Sequence, residues 1–195
     1  GMHPTPKCLK KLERKVSRRE INFVAQETVT GGTISTAISG YIVHTFKGDG
    51  TFTVSSNPIK NAEILIVGGG GGGAGYNSSG MSGGGGGGTV LHATEYDIAV
   101  GSYSIDVAAS VSGGVSGNNT IAFGQTATGG GAGDAGAGGN GGGANYDFDT
   151  DDSGGPGTAP SVNLPFTVYG GNNGAGSREK SSGGGGGANA AGVTI

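Results

Sequence analysis

The chain has 195 residues, 48 of them glycine, a single cysteine and a formal net charge of −3. Glycine far above its usual share of about 7% excludes an ordinary side-chain core over much of the length, and the lone Cys8 excludes an internal disulfide brace. The apolar runs fall short of the roughly 18 residues of a membrane-spanning helix. The N-terminus lacks the apolar stretch of a secretory signal, so no membrane insertion is expected.

Charge is unevenly placed. Lys7, Lys10, Lys11, Arg14, Lys15, Arg18 and Arg19 put seven of the 11 basic side chains in the first 20 residues, against Glu13 and Glu20. Within this stretch Leu9, Leu12 and Val16 share one face at helical spacing, so the pattern predicts a short basic helix over 7–20. A helix of this length is marginal alone in water, so when ordered it needs a partner in the chain or outside it. Ile21, Phe23 and Ala25 then alternate with polar residues as a strand does. Residues 2–27 read as an attachment arm, with Leu9, Leu12, Arg14, Val16 and Arg18 as its contact residues. A nucleic-acid-binding arm is the competing functional reading, and a solvated helix the structural one. Gly31-Gly32 and the small polar residues after it predict a linker over 28–39.

From Gly40 the pattern is β. Residues 41–46 predict one strand, Asp49-Gly50 a hairpin turn, and residues 51–54 the returning strand. Pro58 closes that segment, because proline cannot donate to a ladder. Strands are further predicted at 62–67, 89–93, 96–100, 102–108 and 119–123. Between them lie the glycine runs 68–73, 83–88, 129–143 and the run from Gly183.

A glycine chain can adopt polyproline II, with three residues per turn, and such helices can pack through backbone hydrogen bonds. Runs 68–73 and 83–88 match in length and suit an antiparallel pair. In 129–143, Gly130, Gly133, Gly136, Gly139 and Gly142 fill one three-residue register. A second register is all small residues, and a third holds Asp134 and Asn140. Read as one helix at the edge of a bundle, this places Asp134 and Asn140 on the outward face. Flexible coil is the alternative, favoured by the entropy cost of ordering glycine. The expected fold is therefore mainly β: a small β-sandwich-like base with packed polyglycine helices, one domain over 40–195, and the N-terminal basic helix.

Chemical motifs are sparse. Gly68, Gly70 and Gly73 match a dinucleotide-binding fingerprint, but no helical pattern follows them, and that fold needs one. Asp147, Asp149 and Asp151 are candidate ligands for a hard cation. An EF-hand starting at Asp147 would need glycine and glutamate where the chain has Asp152 and Thr158. A solvated loop tip is the competing reading there. His3, His44 and His92 are dispersed, and Cys8 has no neighbouring base, so no catalytic set is visible, no enzyme is expected and no cofactor is implied.

The stretch Tyr41-Ile42-Val43-His44-Thr45-Phe46, then Gly48-Asp49-Gly50-Thr51-Phe52-Thr53-Val54, then Glu63-Ile64-Leu65-Ile66-Val67 running into six glycines resembles the glycine-rich domain of bacteriophage tail-fibre proteins. Val100-Gly101-Ser102-Tyr103-Ser104-Ile105-Asp106-Val107 and Ile121-Ala122-Phe123-Gly124 fit the same pattern. Gly192-Val193-Thr194-Ile195 matches the start of the strand with which family members often end.

The resemblance covers roughly residues 40–195. It implies a virion structural protein, a tail-fibre or fibre-tip component, with loops between polyglycine helices contacting a host receptor, protein or glycan. Those loops are 76–82, 145–153, 158–166 and 172–182. Candidate contact residues are Tyr76, Asn77, Ser78, Met81, Tyr146, Asp147, Phe148, Asp149, Asn172 and Asn173. Other virion proteins are expected on the arm, a homotrimer is offered by analogy with fibres, and nucleic acid is not an expected partner. The alternatives are a decoration or connecting protein on the capsid surface, and a cellular glycine-rich surface or ice-binding protein.

Overall fold

The structure, a computed structural model, describes residues 29–75, 81–146, 152–178 and 181–189. The expected helix at 7–20 lies outside these residues. The described residues are mainly β and contain no helix.

The strands in chain order are β1 (Val29–Thr30), β2 (Thr33–Ser35), β3 (Val43–Thr45), β4 (Gly50–Val54), β5 (Ile59–Val67), β6 (Val90–Ile98), β7 (Gly101–Asp106), β8 (Thr120–Ala122), β9 (Gln125–Ala127) and β10 (Thr167–Tyr169). They form a five-stranded sheet of order β1-β4-β7-β8-β9, a three-stranded sheet β10-β6-β5 and a two-stranded ribbon β2-β3. Every pairing between them is antiparallel.

Period-two alternation builds the core. In β4, Phe52 and Val54 turn inward while Thr51 is exposed; in β5, Ile64 and Ile66 turn inward while Leu65 and Val67 face out. Side chains on a strand point alternately to its two faces, so the sequence pattern decides which face is buried. Phe52, Val54, Ile105 and Ala122 from the larger sheet meet Ile64, Ile66, Leu91, Ala93 and Ile98 from the smaller in one core, joined by Phe166. Aromatic rings close one side. Phe123 lies 5.8 Å from Phe52, 5.9 Å from Tyr96 and 5.2 Å from Tyr103, centroid to centroid.

Several expectations are corrected. The stretch read as a linker, 28–39, carries β1 and β2, which pair with β4 and β3. Asp49-Gly50 does not close a hairpin: β3 pairs with β2, whereas β4 pairs with β1 and β7. Asp49 instead accepts a hydrogen bond from the backbone of Val107. The separate strands expected at 89–93 and 96–100 are one strand, β6. Glu95, at φ 59°, is an extra residue that lets Ala93 and Ile98 both face inward, and Asn61 at φ 56° lies where the facing strand shifts register. Two further strands were not anticipated. β9 follows a two-residue turn in which Phe123 and Gly124 both have positive φ, 51° and 71°, the backbone of a tight hairpin turn. β10 adds an edge beside β6.

Candidate functional site

Strands lead into and out of glycine. A first glycine segment, 68–74, follows β5, and a second, 83–88, leads into β6. A third, 113–118, lies between β7 and β8, and a fourth, 129–133, follows β9. The chain turns at 133–135, where Asp134 and Ala135 have positive φ, runs back through 136–138 and turns again into a fifth, 138–144, parallel to the fourth: Gly139 N–H donates to Gly129, Gly131 N–H to Asn140 and Asp134 N–H to Gly143. A sixth is 154–158, a seventh, 171–175, follows β10, and an eighth is 183–187.

Donors three residues apart reach the same neighbour. The N–H groups of Gly68, Gly71 and Ala74 donate to Thr89, Gly86 and Gly83 at 2.8–2.9 Å, so the first two segments run antiparallel. Gly69 and Gly72 donate to Asn118 and Val115 in the third segment. Gly84 and Gly87 donate to Gly183 and Gly186, and Gly130 and Gly133 donate to Gly69 and Gly72; both of these pairs run parallel. The bonds link the third, fourth, fifth and sixth segments in one layer and the first, second and eighth in another; the seventh is bonded to the fifth, sixth and eighth, through Gly141 N–H to Asn172, Gly174 N–H to Gly155 and Ala175 N–H to Gly184. Bonds such as Gly86 N–H to Gly131 and Gly183 N–H to Ala144 tie the layers to each other.

The spacing leaves no room for side chains inside. A Cβ at Gly86 would lie closer than 3.0 Å to the carbonyl of Asn140, one at Gly85 to that of Gly71, and one at Gly142 to that of Ala132. At Gly70 and Gly73 the nearest atoms would be 3.9 and 3.6 Å away, ordinary contact. Asparagine supplies the amides that the backbone lacks. Asn140 is fully buried and donates to the carbonyls of Gly87 and Gly88, while its Oδ1 accepts from Asn172 N–H. Asn145 and Asn119 accept from the leading N–H groups of the second and fourth segments, at Gly83 and Gly129.

This overturns the outward face assigned to Asn140. The stretch 129–143 is two parallel segments joined by a turn and a returning stretch, so its three-residue register does not run through. Asp134 alone of that pair is exposed.

The described ends of three of the four expected loops lie at one end of the layers. Residue 75 and residues 81–82, the turn at 133–135, the ends of 145–153 and the ends of 176–182 adjoin the segment ends remote from the strands. There Tyr146 N–H donates to the carbonyl of Met81, 3.4 Å away, and Met81 is exposed. Asp152 and Ser177 are bonded twice, Ser177 N–H to the Asp152 carbonyl at 2.8 Å and Asp152 N–H to Ser177 Oγ at 3.2 Å. Beside them Ser153, Asn173 and Arg178 line an open cleft of about 390 Å³. Tyr76, Asn77, Ser78, Asp147, Phe148, Asp149 and Asp151 lie outside the described residues.

The fourth loop is elsewhere. Residues 158–166 are at the strand end: Thr158 N–H donates to Gly138, Asn163 N–H to Gln125 Oε1, and Phe166 is in the core. Asn172 is half-buried and spends its side chain on the carbonyls of Gly187 and Ala188, so it holds the layers together. Ser177 and Arg178, bordering the cleft, were not singled out from sequence, where they are two polar residues among many.

Among the described residues, no group of three or more His, Cys, Asp or Glu is placed to hold a metal. No helix of the described residues is long and apolar enough to cross a membrane. The chain matches no protein-family model, no curated protein and no solved structure.

Proposed function

We propose that this chain is a bacteriophage virion protein, a tail-fibre or fibre-tip component, whose glycine layers are packed polyglycine helices displaying receptor-recognition loops at one end. The helical reading is supported by the three-residue spacing of donors to each neighbour, the period of a polyproline II chain. The functional reading rests on one observation: the ends of loops distant in sequence lie together at one end of a core built almost entirely of backbone. Loops held on a rigid scaffold are where recognition residues concentrate. Tyr76, Met81, Tyr146, Asp147, Phe148, Asp149 and Asn173 form the proposed contact set, with the cleft beside Asn173. Residues 2–27, through Leu9, Leu12, Arg14, Val16 and Arg18, attach the body to other virion proteins.

Immunogold electron microscopy of particles, with antibody against residues 40–195, tests the location. Label at fibre ends is expected. Label over the capsid or tail body would indicate decoration or connection instead, and label on cells alone would remove the virion reading. Replacing Tyr76, Tyr146 and Phe148 together with alanine is expected to abolish binding to the host cell; unchanged binding would reject these residues as the contact site.

A further inference from the structure

We propose that the ribbon β2–β3 with its connecting loop, residues 33–46, packs against the same ribbon of another copy of this chain. Ile34, Ile38, Tyr41 and Ile42 are 52%, 58%, 57% and 57% exposed, four large apolar side chains within nine positions. The ribbon's two strands pair only with each other, leaving both edges open. A two-stranded ribbon is marginal on its own in water. This one is tethered at its base, where His44 Nδ1 lies 2.8 Å from the Gly31 carbonyl and its ring meets Phe52 edge-on at 5.2 Å. The remainder has no cover among the described residues.

Free edges in monomers are normally shielded by charge, proline or a bulge. The open edge of β5 carries such devices in Lys60, Glu63 and the left-handed Asn61. Residues 33–46 contain no Asp, Glu, Lys, Arg or Pro. That composition selects the occupant. When a surface meets its own copy, equivalent residues approach each other, so any charge near the centre faces the same charge. On a chain of net charge −3, an uncharged apolar ribbon is a place where two copies meet without that repulsion. A partner recognised through charge finds no counter-group here. Ile34 and its β-branched neighbours Thr33, Val43 and Thr45 suit cross-strand contacts with their own kind.

Sedimentation of the full-length protein over a micromolar concentration range tests this. Concentration-dependent self-association is expected, weakened at least tenfold by Ile34→Lys and by Ile42→Asp. In a Cys8→Ser background, Ser35→Cys is expected to form a disulfide between copies on mild oxidation. This variant leaves the apolar side chains intact, so it reports even if the charged variants fold poorly. A chain monomeric at every concentration would overturn the proposal, as would an oligomer that neither charged substitution weakens and that gives no Ser35→Cys cross-link. A wild-type monomer in which Ile42→Asp accelerates tryptic cleavage between Lys7 and Arg19 would assign the patch to the chain's own N-terminal segment, and would equally overturn it.

Discussion

At single residues the glycine layers discriminate sharply between positions that look alike in sequence. Gly86 and Gly70 both sit in six-glycine runs. An added methyl at Gly86 collides with the Asn140 backbone, whereas one at Gly70 meets nothing nearer than 3.9 Å. Gly86→Ala is therefore expected to prevent cooperative folding or to cost several kcal/mol, in the way overpacking does, at about 1–3 kcal/mol or more. Gly70→Ala should be neutral or stabilising by up to about 1 kcal/mol, because alanine narrows the unfolded ensemble. Urea denaturation of the pair measures the contrast. Asn140→Ala should cost about 1–3 kcal/mol by the same measurement, since it strands the part-buried carbonyls of Gly87 and Gly88 and the N–H of Asn172. The burial of Asn140 was not legible in the sequence, because the register that placed it outward does not run through the turn at 133–135. Asp134 and Ala135 turn the chain back with positive φ, and neither residue type announces that turn as glycine would.

At the scale of elements, the β8–β9 turn and the bulged β5–β6 pair carry the informative features. Phe123 holds a backbone conformation that is costly for a bulky residue, and three aromatic neighbours hold it there. Phe123→Ala is expected to destabilise by about 3 kcal/mol through the lost ring contacts, with β9 detaching first as read by amide hydrogen exchange. Opposite the bulge, Asp97 accepts from Lys60 and from the Asn61 backbone. The Lys60 hydrogen bond, then the Asn61 N–H and the Lys60 charge, hold its carboxyl below the ordinary 3.8, while slight desolvation opposes them. A lowered folded-state pKa contributes stability above the unfolded value and loses it as pH falls through the folded one. The melting-temperature difference between wild type and Asp97→Asn should therefore be small but measurable at neutral pH and shrink below pH 3.8. β4, β5 and β7 were legible because Phe52, Val54, Ile64, Ile66 and Ile105 alternate cleanly. β10 was not: Thr167, Val168 and Tyr169 are too few for a period, and only pairing with β6 makes them a strand. The Asp49-Gly50 signal misled because a turn sequence fixes local geometry and leaves strand partners to tertiary packing.

For the whole molecule, much of what folding buries in the glycine layers is peptide group, with the apolar core confined to the strand end. Exposure of apolar surface raises heat capacity and exposure of polar surface lowers it. Calorimetry should accordingly give an unfolding heat capacity per residue below the usual range of about 12–15 cal/mol/K; a value inside that range would mean that apolar burial dominates here as in ordinary domains. The order of the layers had no sequence code, since every glycine offers the same donor and acceptor and only the connections decide who meets whom. That order has a consequence for synthesis. The second segment lies between the first and the eighth, and Gly84 and Gly87 donate to Gly183 and Gly186. About 100 residues must be translated after the second segment before the eighth, the acceptor of these two N–H groups, exists, roughly 5–20 s at ordinary ribosomal speed. During that interval Gly84 and Gly87 keep their amides in water, and the layer closes only when the chain's late portion arrives to dock beside an early one.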